Sequence, residues 1–425
     1  MSARFKIFLK ICMVTVFLTT ACVLPGYTQL FYNVNIDDTK YYLSLNSELG
    51  VNSNTLTNNF IGTFYKGGFL DHSLKSKALD RLNTYYNILG YSFNTDLYLN
   101  IPGKNNNINY YAGFENRNLL ELRFNKDLFH LVFFGNADFT NEFLILKNLQ
   151  LNILNFQQIK AGINKSWRKG ESTHVLTAGL GYNNGQNILN YKLPYGSIYT
   201  QGEAEFINVQ AEIAMKRSDT VNQKFGAENG WGFSADVAYT FSDENNVFHC
   251  RFEDLGFIRW KKYSQSYYKD TIIFFDGIEL SNLTHISSET ISVEGADSIV
   301  NAFAFSKKYA AFSQMIPMNL NLGYTRYLCK RRLSLSLNFS HYFFSQYRPR
   351  LRFVTSVHIP VKNSVISIFP SAETGGYGRF NFGLGLSAMV NKKFYIEIQT
   401  SYLNSYLLPQ KSAGAGGVIS IIKTL

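Results

Sequence analysis

The sequence predicts an all-β protein: a single transmembrane antiparallel β-barrel of about 14 strands, within a range of roughly 12 to 18. Three observations predict it. The N-terminus has the make-up of an export signal, apolar and polar residues alternate with period two, and the composition is poor in charge. Only 17% of the 425 residues are charged, against about 25% in an average chain. Phe (36), Tyr (28) and Asn (42) are abundant, while Pro (8) and Cys (4) are few. So many aromatics with so little charge exclude disorder, and four Cys in a chain of this length exclude a disulfide scaffold. Collagen-like and coiled-coil compositions are absent. The length alone suggests two or three soluble domains; the composition points to one large β structure.

Residues 1–28 read as a secretory signal. Arg4, Lys6 and Lys10 form a basic leader, Ile11 to Leu18 an apolar stretch too short to span a bilayer, and small and turn residues follow as far as Gly26. Cleavage is expected between Thr28 and Gln29, or after Ala21. Cys22 opens a lipidation alternative, although Thr19-Thr20-Ala21 matches the usual lipoprotein pattern poorly. Removing the three leader cations takes the net charge from +11 to +8. The mature chain keeps Cys250 and Cys329, whose spacing supports no motif.

Beyond residue 30 no run of about 20 apolar residues offers a transmembrane helix. Alternation recurs instead. Leu333, Leu335, Leu337 and Phe339 share one face, and Ser334, Ser336, Asn338 and Ser340 the other. The same pattern runs through Trp231–Tyr239, Met318–Tyr324 and Phe380–Val390, and more weakly near 41–49, 93–101, 174–182, 205–215, 350–359 and 394–402. Runs of this length suit a tilted membrane strand, which needs about 9–11 residues. Turn-rich links such as Ser242–Asn246 and Asn391-Lys392 make neighbouring strands antiparallel. Alternation alone does not orient the faces. The polar faces carry Ser, Asn, Thr, Gly and Gln rather than a soluble protein's Lys and Glu, and aromatics gather at run ends, as in a lipid-facing girdle. Both favour a barrel over a sandwich, with residues 29–425 as one outer-membrane β-barrel.

Some segments break the pattern. Ser73–Tyr86 and Phe124–Phe134 have helical spacing. Residues 262–317 form a long insertion, a loop, plug or partner surface, in which Ile299–Met315 is expected to be helical before Pro317. Ser371–Gly378 reads as a turn.

Phe252-Glu253-Asp254-Leu255-Gly256-Phe257-Ile258-Arg259-Trp260, with Gly230-Trp231-Gly232-Phe233 one strand earlier, resembles an uncharacterised outer-membrane β-barrel family common in Bacteroidota. Lys126-Asp127-Leu128-Phe129, followed by Gly135-Asn136, is a second landmark. The family landmark proper is Asp254, Leu255, Gly256, Phe257, Ile258, Arg259 and Trp260. The resemblance covers about residue 40 to the end. It implies a barrel distantly similar to FadL-like and porin-like proteins, and it transfers no functional residues, because the family has no established activity. The chain ends in Leu425 rather than the aromatic residue many such barrels use.

No catalytic, metal or cofactor motif appears. The seven His are scattered without ligand spacing, Ser340 and His341 lie on opposite faces of their strand, and no nucleophile elbow is present. His249, Arg251 and Glu253 share one strand face and are expected to line the lumen, because charge facing lipid costs about 2–4 kcal/mol at mid-bilayer. Asp254 falls on the opposite face, so either the membrane ends there or Gly256 marks a bulge. Arg348, Arg350 and Arg352 form a basic comb, facing either the lumen or lipid phosphates. The functional expectation is passive transport of a small or apolar solute across the outer membrane of a Gram-negative bacterium. The alternative is a structural part anchoring a surface or type IX-like secretion complex. Expected partners are outer-membrane lipid, lipopolysaccharide phosphates and such a complex. No dense basic run supports nucleic acid.

Overall fold

The computed structural model describes residues 40–104, 107–202, 207–219, 222, 224–275 and 306–425. The expected signal segment lies outside them. The chain forms strands β1 (Tyr42–Ser53), β2 (Asn87–Pro102), β3 (Ile108–Phe124), β4 (Phe143–Lys169), β5 (Ser172–Thr200) and β6 (Ile207–Arg217). Next come β7 (Gly230–Ser242), β8 (Asn246–Trp260), β9 (Gln265–Phe275), β10 (Ser306–Tyr309), β11 (Phe312–Met315) and β12 (Met318–Leu328). The last six are β13 (Leu333–Phe343), β14 (Arg348–Val361), β15 (Ser364–Gly376), β16 (Phe380–Val390), β17 (Phe394–Thr400) and β18 (Ala415–Thr424).

Fourteen of these strands close a ring, in the order β1-β2-β3-β4-β5-β7-β8-β12 and then β13 to β18, with β18 pairing back to β1. Every join is antiparallel, and closure leaves the ring no edge to expose in lipid. The alternation is resolved as expected. Leu180, Phe233, Phe252, Leu337, Phe382 and Leu386 are exposed on the outside, while Asn183, Ser234, Arg251, Asn321, Asn381 and Glu397 are buried inside. Cys250 faces outward on β8 and Cys329 sits in a turn; both are free.

The two ends differ. Both described ends of the chain and six connections of at most five residues lie at one, the turn end; all the long connections lie at the other, with two short ones. Asp243 builds one of these turns, accepting hydrogen bonds from the backbone N–H of Asn245 (2.8 Å) and Asn246 (2.6 Å) and from the Asn246 side chain (2.9 Å). Led by the Asn246 side-chain bond, these hold its carboxyl below the usual carboxylate range. At the other, loop end, β4 and β5 have 27 and 29 residues, more than twice what a bilayer crossing needs. Their outer halves project as a blade, extended by β6, β9 and β10.

On the blade pack helices α1 (Asn58–Tyr65), α2 (His72–Arg81) and α3 (Lys126–Phe134), capped by the Thr57, Asp71 and Asn125 side chains. Phe60, Ala78 and Phe129 meet Leu144, Leu146, Leu193 and Ile213 in a buried core. The chain therefore reverses its polarity rule along its length: apolar outward in the bilayer, apolar inward above it.

Four expectations change. The first helix ends at Arg81, and the helix expected over Ile299–Met315 is not formed where it is described, since Ser306–Tyr309 and Phe312–Met315 are strands paired to β9 and β8. Cross-strand partners for the backbone override the local Ala and Phe pattern. Residues 276–305 of the 262–317 insertion lie outside the described residues; β9 and β10 make its described part a continuation of the blade. Ser371–Gly376 belongs to β15, and the turn comes only afterwards. Helices α1 and α4 (Leu403–Leu407) had not been anticipated.

Leu384→Arg, at the middle of an outward strand face, should lower folding stability by about 2–4 kcal/mol in urea titrations of vesicle-inserted protein. Asn391→Gly, at an exposed turn with φ 51°, should leave it unchanged or slightly higher.

Candidate functional site

The inward faces of the ring meet in a packed, charged lumen. Lys160 on β4 is only 2% exposed, and its Nζ lies 2.7 Å from Asp254, 2.9 Å from Asp236 and 3.5 Å from Glu115. Arg117 on β3 pairs with Asp96 at 2.7 Å and Glu115 at 2.5 Å, and Tyr98 donates to Glu115. Gln158 donates to Asn183 (3.0 Å), Ser234 (3.2 Å) and Asp254 (2.9 Å), tying β4 to β5, β7 and β8.

Asp254 enters this cluster through a bulge. The β7–β8 register shifts between Ala235 and Val237, and Asp254 takes a left-handed φ of 62°, which Asp tolerates better than most residues. Its N–H then donates to Asp236 (2.8 Å), and its carboxylate turns inward. The bulge expected at Gly256 therefore falls at Asp254. Beyond it the parity is reversed: Gly256, Ile258 and Trp260 face in, and Leu255, Phe257 and Arg259 face out. The landmark is thus a parity switch that swaps the inward face from charged to apolar.

His249 and Arg251 are buried on the inward face of β8, with His249 3.3 Å from Asn321 and Arg251 3.8 Å from Glu253. Of the basic comb, Arg350 and Arg352 also face the lumen, while Arg348 donates to the backbone carbonyls of Gly376 (3.2 Å) and Gly378. Arg350 and Arg352 reach Glu373 at 3.7 and 3.9 Å, and Arg352 also donates to Gln399. Sequence reasoning missed Lys160, Arg117, Glu115, Asp236 and Asp96. Its one available signal was a charge flanked by apolar alternants, as in Ile159-Lys160-Ala161. Among the described residues no group of His, Cys, Asp and Glu is arranged to hold a metal.

Above the charged layer sits an apolar collar of Leu154, Phe156, Ile188, Ile258, Trp260 and Ile316. The collar lines a fork in the sheet, where β5 pairs β7 below Gly185 and β6 above Ile188. Backbone groups freed at the fork are recaptured: Ser218 bonds both Ile188 N and O, and Asn229 bonds Gly185 O and Gln186 O.

The loop-end mouth is crossed by two loops, residues 344–347 and 377–379, which belong to strands half-way round the ring from β3. Both end on one carboxylate, Glu121 of β3, which is 1% exposed. Glu121 accepts from Gln346 N (2.9 Å), Tyr377 Oη (2.8 Å), Asn152 Nδ2 (3.1 Å) and Ser345 Oγ. Tyr347 packs edge-on against Tyr377 at 5.0 Å. The Tyr377 ring fills the space above Gly90, where any Cβ would lie 2.2 Å from it.

A closed ring with an apolar outside, a polar inside and short turns at one end defines a transmembrane β-barrel of the outer-membrane type. The chain belongs to a family of unknown function, DUF5723, whose model matches residues 35–397. No curated protein matches it. Similar solved structures include the Pseudomonas putida toluene transporter TodX, at 8% identity and TM-score 0.42, covering 94% of each chain. A bacterial polysaccharide outer membrane secretin has 8% identity and TM-score 0.31, covering 92% of this chain and 99% of its own. The outer membrane protease OmpT of Escherichia coli has 6% identity and TM-score 0.23, again covering 92% and 99%. A transporter, a secretin and a protease stand side by side here, so likeness of this degree favours no activity.

Asp254→Leu removes the nearest of the three carboxylates around the Lys160 ammonium and leaves Asp236 and Glu115; it should cost about 1.5–3 kcal/mol, read as a lower urea midpoint in micelles. Asp254→Asn, which keeps the hydrogen-bonding shape and the tolerance for a left-handed φ, should cost less.

Proposed function

We propose that the protein passes a small or apolar solute across the outer membrane by a gated route, with Glu121 as the latch. The observation that carries this reading is the construction of the mouth. Two loops from the far side of the ring are held over it by hydrogen bonds that converge on one buried carboxylate, beside a small apolar cluster of Ile88, Tyr347 and Tyr377. Immediately beneath lies the apolar collar, which suits a nonpolar solute; beneath that, ion pairs fill the lumen. Such a barrel is closed at rest, unlike an open porin. An anchoring role is the second reading, and it is favoured by the blade, which extends well past the bilayer and offers a surface to a partner.

The test is solute uptake into liposomes together with conductance in planar bilayers. Hydrogen bonds to a charged group are worth about 1.5–3 kcal/mol each, so Glu121→Ala should raise flux of a small aromatic solute by about tenfold or more. Wild-type protein should conduct rarely. If the wild type and the variant are equally impermeable while both show heat-modifiable migration on gels, transport fails and the anchoring reading stands.

A further inference from the structure

We propose that the turn end of the barrel is a docking ring for anionic glycerophospholipid headgroups of the leaflet in which it stands. Short turns mark the periplasmic side of outer-membrane barrels, so this is the inner leaflet.

Charge is the first argument. Of the six turns at this end, five carry exposed cations at or beside the turn. These include Lys330, Arg331 and Arg332 between β12 and β13, Lys362 between β14 and β15, and Lys392 and Lys393 between β16 and β17. The one acidic turn, Asp243-Glu244, is tied to its neighbour by Arg331, which donates to the backbone carbonyls of Glu244 (2.9 Å) and Asp243 (3.3 Å). Among the described residues the other exposed acid at this end is Glu171, beside Arg168 and Lys169.

Depth is the second argument. Exposed Tyr41, Tyr110, Trp167, Tyr324 and Phe394 lie at this end of their strands, and such an aromatic girdle sits at headgroup level. Lys165, Arg326 and Lys423 face outward within the same band, towards lipid rather than the aqueous mouth. A ring of cations at headgroup depth meets phosphodiesters before it meets any soluble anion.

Backbone conformation is the third. Lys330, Arg331, Lys362 and Lys392 have φ between 51° and 62°, a region that Gly or Asn occupies with less strain. The turns carry charge where an uncharged residue would fold more easily.

The proposal does not depend on whether the lumen conducts. Its test uses full-length protein in phosphatidylcholine vesicles doped with spin-labelled phosphatidylglycerol or spin-labelled phosphatidylcholine. The motionally restricted fraction of the anionic probe should exceed that of the zwitterionic one by about two- to fourfold, and 1 M salt, with a Debye length of about 3 Å, should abolish the excess. A fourfold variant, K330Q/R332Q/K392Q/K393Q, should bring the two probes together while keeping heat-modifiable migration; should it fail to fold, the salt series on the wild type decides. Equal restriction of both probes in the wild type overturns the proposal. So does an excess unchanged in the variant. Loss of the excess on adding inorganic phosphate, or soluble peptidoglycan fragments, at matched ionic strength would assign the ring to that anion instead.

Discussion

The bilayer supplies no hydrogen bonds, and the rest of the structure follows from that. Each backbone N–H and C=O at membrane depth has to find a partner in another strand, and β18 pairing back to β1 completes the set. Closure then fixes where side chains go. Period-two alternation, which leaves either face free to be the inner one in an open sheet, sends Leu and Phe to lipid and Asn, Ser and Arg to the interior. Once past the bilayer the constraint lapses, and β4, β5 and β6 bury their apolar face under three helices like an ordinary water-soluble layer pair.

The ion pairs of the lumen are a consequence of closure rather than an independent source of strength. Charges taken out of water are costly unless paired and hydrogen-bonded, so Lys160 collects three carboxylates and Arg117 two. The bulge at Asp254 is what lets β8 contribute to this layer and, a few residues later, to the apolar collar. A regular strand would have sent Ile258 and Trp260 to lipid or Asp254 out of the cluster. One residue of extra backbone thus joins two layers of different chemistry along a single strand.

The mouth and the turn end divide the remaining roles. At the mouth a carboxylate with four donors holds two loops, an arrangement that can be undone without breaking the wall. At the turn end, cations occupy strained turn positions in the plane of the girdle.

The sequence by itself determined the wall: barrel class, strand number near 14, the outward and inward sets, and the turns at Asn391-Lys392 and Asp243–Asn246. These are local properties, written in side-chain period and turn chemistry. Tertiary structure alone decided the rest. Whether Arg350 and Arg352 faced lumen or lipid depended on Glu373, and whether residues 306–315 were helix or strand depended on β8 and β9. Lys160 and Glu121 acquired their meaning from groups about 30 to 255 residues away, brought together only when the ring closed. No period within one strand encodes such a meeting, because the partners are chosen by curvature and register across the whole sheet.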